Sequence, residues 1–228
     1  MGSYLDQAIE RLREFEGSVP WMYLDTAGKV TVGVGSMLPD ANAAGTLPFQ
    51  VGARAATKDE IVKEFARVSA LVKGRAATFY RIAGGLRLTD TVIDQRLSEV
   101  LEGFEGYLRA HLAGYERLPG GVKLALLDMI YNLGPGKLFE EYPKLIRAIE
   151  KRDWKAAASA SLRQGPSAAR NAWTKQQFLE AAKEIALQAG AEVERLPWGW
   201  IAVLLAAGLA LLTIRAANST GSRAGNRI

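Results

Sequence analysis

Residues 15–35 read FEGSVPWMYLDTAGKVTVGVG, and the setting of the two carboxylates within them decides how the chain is read. Just upstream, Leu5, Ile9, Leu12 and Glu16 recur at helical spacing with Phe15 beside them. That periodicity predicts a first helix ending at Glu16 and stopped by Gly17. Downstream, WMYL and KVTVGV predict two short strands joined by the turn-forming residues Asp25, Thr26, Ala27 and Gly28. Val30, Val32 and Val34 alternate with Thr31, Gly33 and Gly35, so one strand face is apolar and the other small.

Glu16 thereby shares a helix face with three aliphatic residues, toward a core or a cleft wall. Partial desolvation disfavours the charged form of a carboxyl and raises its pKa, as a general acid working near neutral pH requires. Asp25, in a turn with backbone N–H groups close by, is expected to stay ionised. Paired carboxyls pushed apart in this way suit glycoside hydrolysis. Thr31 adds a hydroxyl on the opposite arm of the hairpin, and Gly33 and Gly35 would let a bulky polymer approach the backbone. Spacing alone leaves a second reading open: a glutamate reaching solvent at a helix end, and an aspartate closing its own turn.

The bulk composition narrows the chemistry. With 228 residues, 49% hydrophobic and 23% charged, the chain has the apolar mass for one sizeable domain plus extra elements. A net charge of +5 favours polyanionic partners without choosing among them. The absence of cysteine excludes disulfides and cysteine-based zinc sites, and a single histidine, His111, disfavours a histidine metal site or a Ser-His-Asp triad. Acid–base chemistry would then fall to carboxylates. No cofactor and no metal site is expected. Nucleic-acid binding lacks a basic stripe with interleaved aromatics.

Further along, residues 38–52 are rich in Pro, Gly, Ala and Asn and read as a loop. Thr57 to Glu60 form a capping box that opens a helix carrying Ile61, Val62, Phe65, Val68 and Val72. Thr89 caps another, carrying Ile93, Leu97, Val100, Leu101 and Phe104. VKLALLDMIYNLG, 122–134, is apolar on nearly every side, which predicts a central buried helix ending at Gly134. Shorter helices are expected over 142–150, 153–161 and 167–188.

The opening motif, Glu16-Gly17, Tyr23-Leu24-Asp25, Gly28 and Thr31-Val32-Gly33-Val34-Gly35, resembles the N-terminal signature of the phage T4-type lysozymes and endolysins, glycoside hydrolase family 24. LLDMIYNLG at 126–134 and DWKAAA at 153–158 extend the resemblance over roughly residues 5–180. It implies a mostly α, α+β lysozyme-like domain with a small N-terminal β-hairpin lobe and a helical lobe. It also implies a muramidase that cleaves the β-1,4 bond between N-acetylmuramic acid and N-acetylglucosamine of peptidoglycan. Glu16 would be the proton donor. Asp25 would position water or stabilise the oxocarbenium-like transition state, with Thr31 helping to hold the water. Tyr23, Gly33, Gly35, Tyr131 and Asn132 would contact substrate, while core packing and helix capping are the plainer roles for Tyr131 and Asn132. Ser36 stands where many members have His, and the middle region 57–112 is longer than in compact phage enzymes, nearer to pesticin-like or virion-associated relatives.

LPWGWIAVLLAAGLALLTI, 196–214, carries no charge over 19 residues, close to the ~20 residues that span a bilayer core. Trp198 and Trp200 stand at one end as interfacial anchors would. The expected organisation is a catalytic domain over 1–180, a helical linker over 181–195, a transmembrane helix over 196–216 and a disordered basic tail over 217–228. Arg215, Arg223 and Arg227 follow the span without an acid, which favours a cytoplasmic tail and a periplasmic domain by the positive-inside tendency. No signal peptide is visible at the N-terminus, so delivery by a virion or a secretion machine, or a reversible anchor on an endolysin, is the expected route. A non-catalytic wall-binding or structural virion protein keeping the same fold is the rival reading. Survival of Glu16, Asp25 and Thr31 together favours the enzyme.

Overall fold

A computed structural model of the chain describes residues 3–194. The apolar run at 196–214, the basic tail and the orientation inferred from them lie outside the described residues. Among the described residues, no helix is long and apolar enough to cross a membrane. One compact unit runs to Ala181 and a second begins at Ala182. Everything that positions the site belongs to the first.

Helix α1, Tyr4–Glu16, opens on a capping box in which Ser3 and Asp6 satisfy each other's backbone N–H groups. It closes on Gly17, whose φ of 76° lies in the left-handed region that favours glycine. Ala8 and Leu12 are its buried residues, and α1 packs on both α4 (Asp90–His111) and α5 (Gly120–Leu133). The chain then turns directly into β1, Val19–Leu24, which pairs antiparallel with β2, Val30–Gly33, and through it with β3, Ser36–Met37. The register sets Tyr23 opposite Thr31 and Leu24 opposite Val30, with an irregularity between Val19 and Tyr23. The hairpin is therefore as expected, with a third strand added.

Two expectations are corrected here. The 38–52 segment is not simply a loop, because Asp40 caps a short helix α2, Ala41–Gly45, and β4, Gln50–Val51, pairs with β5, Arg54–Ala55. The two-faced reading of β2 fails as well: all four of its residues are buried, Thr31 and Gly33 included. A Cβ on Gly33 would lie 3.2 Å from Ile93 Cγ2. Gly33 is thus a packing position beneath α4, not a face open to a polymer.

The remaining helices follow their sequence signals. The predicted capping box opens α3, Lys58–Ser69, and Thr89 caps α4. Helix α5 runs through the core with Val122 to Ile130 all buried, and ends at Gly134. Its apolar surface on every side makes it the element around which the helical lobe packs. Helices α7, Pro143–Glu150, and α8, Trp154–Ala160, pack together. Helix α9, Ala168–Glu194, runs past the expected end at 188. Helix α6, Pro135–Glu141, follows Gly134 directly and had no separate sequence signal, since the break between it and α5 is a single residue.

Candidate active site

One charged residue in the most apolar helix organises the site. Asp128, 3% exposed, stands in the middle of α5, where an unpaired carboxylate would be very costly. It is fully occupied. Its Oδ2 accepts from Arg163 Nη2 at 2.5 Å and from the Thr174 hydroxyl at 2.7 Å. Its Oδ1 accepts from Arg170 Nε at 2.7 Å, and its backbone carbonyl accepts from Arg163 Nη1 at 3.2 Å. Arg170 then reaches on to the other side of the lobe, where Nη1 donates to Glu16 Oε1 at 2.5 Å. Two guanidiniums and two carboxylates thus alternate in charge from the core to the surface. Arg163 Nε and Arg170 Nη2 are buried without a protein acceptor, so the network is held by charge pairing more than by complete hydrogen bonding.

Glu16 is the end of that network that meets solvent, with 34% of its side chain exposed against 6% for Arg170. The setting departs from the apolar wall expected for it, because a guanidinium contacts Oε1. Oε2 accepts no hydrogen bond from a described residue, and Glu16 lines a cleft of about 480 Å³. Gly35, Ser36 and Met37 line one side; Arg96, Val100 and Phe104 of α4 line another; Tyr131 and Asn132 of α5 complete it. The Tyr131 hydroxyl donates to the Val34 carbonyl, tying the helical lobe to the hairpin, and its ring meets Phe104 edge-on at 6.2 Å. A Cβ on Gly35 would lie 3.6 Å from that hydroxyl. Asn132 is exposed and Gly134 ends the helix, so Asn132 is not its cap.

Asp25 is held quite differently. Its Oδ1 accepts from the Lys29 N–H at 2.8 Å, while its backbone bonds to Lys29 and Gly28 close the turn. The turn-closing role is real, and it uses only one carboxylate oxygen. Thr31 is 2% exposed, and its hydroxyl donates to the Lys29 carbonyl at 3.1 Å. Neither Asp25, Thr31 nor Tyr23 belongs to the walls of the cleft. Tyr23 nonetheless links the two carboxylates: burial raises its phenol above the ordinary value, and the charges of Asp25 and Glu16 both add to the rise. Tyr131 is pushed up to about 12 by burial, with Glu16 and Tyr23 adding and Arg170 opposing. Both phenols therefore stay neutral donors at physiological pH, and Glu16, Tyr23, Asp25, Tyr131 and Arg170 share one electrostatic neighbourhood.

The phage lysozyme family matches residues 13–175. The chain belongs to that family. Membership implies glycoside hydrolase chemistry with peptidoglycan as the substrate. No curated protein matches the chain. Among solved structures, a crystal structure of a P22 lysozyme mutant is similar at 21% identity, covering 78% of this chain and 99% of that one with a TM-score of 0.46. Among the described residues, no group of three or more His, Cys, Asp or Glu side chains is placed to hold a metal ion.

Sequence reasoning missed Arg170, Asp128, Arg96 and Phe104 as site residues. Asp128 carried a signal all the same, since an acid within LALLDMIY demands a buried cation. Which cation answers it is a matter of long-range folding.

Proposed function

We propose that the chain is a membrane-anchored muramidase, cleaving the β-1,4 bond between N-acetylmuramic acid and N-acetylglucosamine. The observation that carries this reading is the Glu16 carboxyl at the cleft: one oxygen is held by a buried guanidinium, and the other accepts no bond from a described residue. An acid must present its proton within hydrogen-bond reach of the leaving oxygen. Arg170 fixes the orientation that allows it. Asp25, with one oxygen committed to the Lys29 N–H and the second unbonded, orients water or stabilises positive charge developing at the anomeric carbon. Tyr131 and Asn132 at the cleft wall, and Gly35 beneath it, contact the glycan.

The membrane part of the proposal rests on the uncharged run at 196–214 and the three arginines after it. It places the lysozyme domain in the periplasm and the tail in the cytoplasm, with delivery by a virion or secretion machine, or by release from a reversible anchor.

The direct test digests purified peptidoglycan with the full-length chain in mild detergent and identifies the soluble fragments by mass spectrometry. Fragments ending in reducing N-acetylmuramic acid support the proposal. Fragments ending in reducing N-acetylglucosamine, or release of stem peptides alone, would refute it. For the anchor, protease added to spheroplasts should remove the domain and leave a protected fragment that includes 196–214. A domain protected in intact spheroplasts would reverse the orientation.

A further inference from the structure

The segment between α3 and α4 lines no part of the cleft, yet it is tied down by hydrogen bonds. From Ala70 to Thr89 it contains no acidic residue. Tyr80 is fully buried, and its hydroxyl donates to the Val72 carbonyl at 2.8 Å. Arg67 donates to the Tyr80 carbonyl at 2.6 Å, and Trp21 Nε1 of β1 donates to the Ala77 carbonyl at 2.8 Å. These ties pin the loop from beneath. What it presents outward is unusual for a surface: Val72, Phe79 and Ile82 are 65%, 51% and 47% exposed.

Four cations stand among them. The Arg75 guanidinium lies 5.6 Å from the centre of the Phe79 ring, and those of Arg81 and Arg87 lie 5.2 and 5.3 Å from Trp21. Lys73 is exposed between Val72 and Gly74. Among the described residues, none of the four is ion-paired. We infer that this loop is a docking surface for an anionic lipid bilayer, with Lys73, Arg75, Arg81 and Arg87 meeting headgroup phosphates and Val72, Phe79 and Ile82 entering the acyl boundary.

Charge complementarity alone would admit any polyanion. The exposed apolar side chains decide for lipid. They gain nothing from a hydrated polyanion but remove apolar area from water on entering a bilayer. The Trp21 ring, which could have stacked on a base or sugar, is already covered by two guanidiniums. None of these residues lines the cleft at Glu16.

The chain has no cysteine, so Ile82→Cys in the full-length protein takes a single environment-sensitive dye. Reconstituted with phosphatidylglycerol-containing vesicles, the dye should shift to the blue and become accessible to quenchers in the acyl region. With phosphatidylcholine vesicles it should stay in water, as should a dye at Glu141→Cys on α6 with either lipid. Adding Lys73→Gln and Arg75→Gln should lower the inserted-to-free ratio roughly 25-fold, at about five-fold per cation, and salt should weaken insertion. Circular dichroism should be unchanged, because both cations are exposed. A dye that remains in water on the anionic vesicles, or insertion indifferent to the two substitutions, would overturn the inference. If the dye stays in water while inorganic polyphosphate binds the chain and loses binding in the same variant, the surface is a soluble-polyanion site and the lipid assignment falls.

Discussion

The two carboxylates of the site are secured from opposite directions. Asp25 is held by its own turn, through a backbone N–H four residues away, and needs nothing beyond the hairpin. Glu16 is held from across the molecule, by an arginine 154 residues away that is itself clamped to a buried aspartate in a third helix. The difference teaches how one fold can secure two carboxylates in two ways. The group that serves as a local anion can be built from a short motif. The group proposed to present a proton in a fixed direction is wired into the core, so its geometry inherits the rigidity of the helical lobe.

The contrast can be broken at its strongest point first. Asp128→Ala leaves Arg163 buried without a carboxylate and Arg170 with Glu16 alone, and should cost about 3–5 kcal/mol of stability, read as a lower denaturant midpoint. A loss under about 1 kcal/mol would mean that the network is not what holds the lobe. Arg170→Met keeps much of the side-chain volume but frees Glu16. It should lower kcat about a hundred-fold with a smaller change in KM, since positioning rather than substrate binding is removed.

Asp25→Asn sharpens the other side of the comparison. Asparagine can still accept from the Lys29 N–H, so stability should stay within about 0.5 kcal/mol of the parent, while activity falls by about a hundred-fold or more. Parallel loss of both would show Asp25 to be a structural turn residue.

The smallest effect concerns a surface pair outside the site. Glu60 bonds bidentately to Arg54, and that guanidinium, together with the Thr57 N–H, depresses its carboxyl from 4.5 to about 2. Because the folded value is depressed, the pair's contribution is present above the ordinary carboxylate value and is lost as pH falls toward about 2. The pair is exposed and screened by salt, so its trace in stability should be slight. A carboxyl titration by NMR should nonetheless place Glu60 near 2, and Arg54→Gln should return it toward the ordinary range.

Whatever was legible in the sequence was local. The end of α1 at Gly17, the hairpin, the capping box at Thr57, the cap at Thr89 and the buried α5 were all written within a few neighbouring residues. Glu16 and Asp25 could be singled out because one ends the helix before that hairpin and the other sits in its turn. Gly33 was misread because strand alternation says which face a residue occupies, but not that Ile93 of α4 would cover the face assumed to be open. Arg170 was invisible for the same reason: nothing near position 170 announces a partner at position 16. The helix α2 and the two short strands after it were lost in a Pro/Gly-rich composition that is equally compatible with a loop.

The most direct test compares reducing-end release from purified peptidoglycan by the full-length chain and by Glu16→Gln, at matched unfolding midpoints. Glutamine preserves the shape of the side chain and can still accept from Arg170, but it has no proton to give. The predicted result is a fall of about a hundred-fold or more with stability nearly unchanged. Equal rates would contradict the account, because the group that the whole buried network serves to aim would then not be the acid.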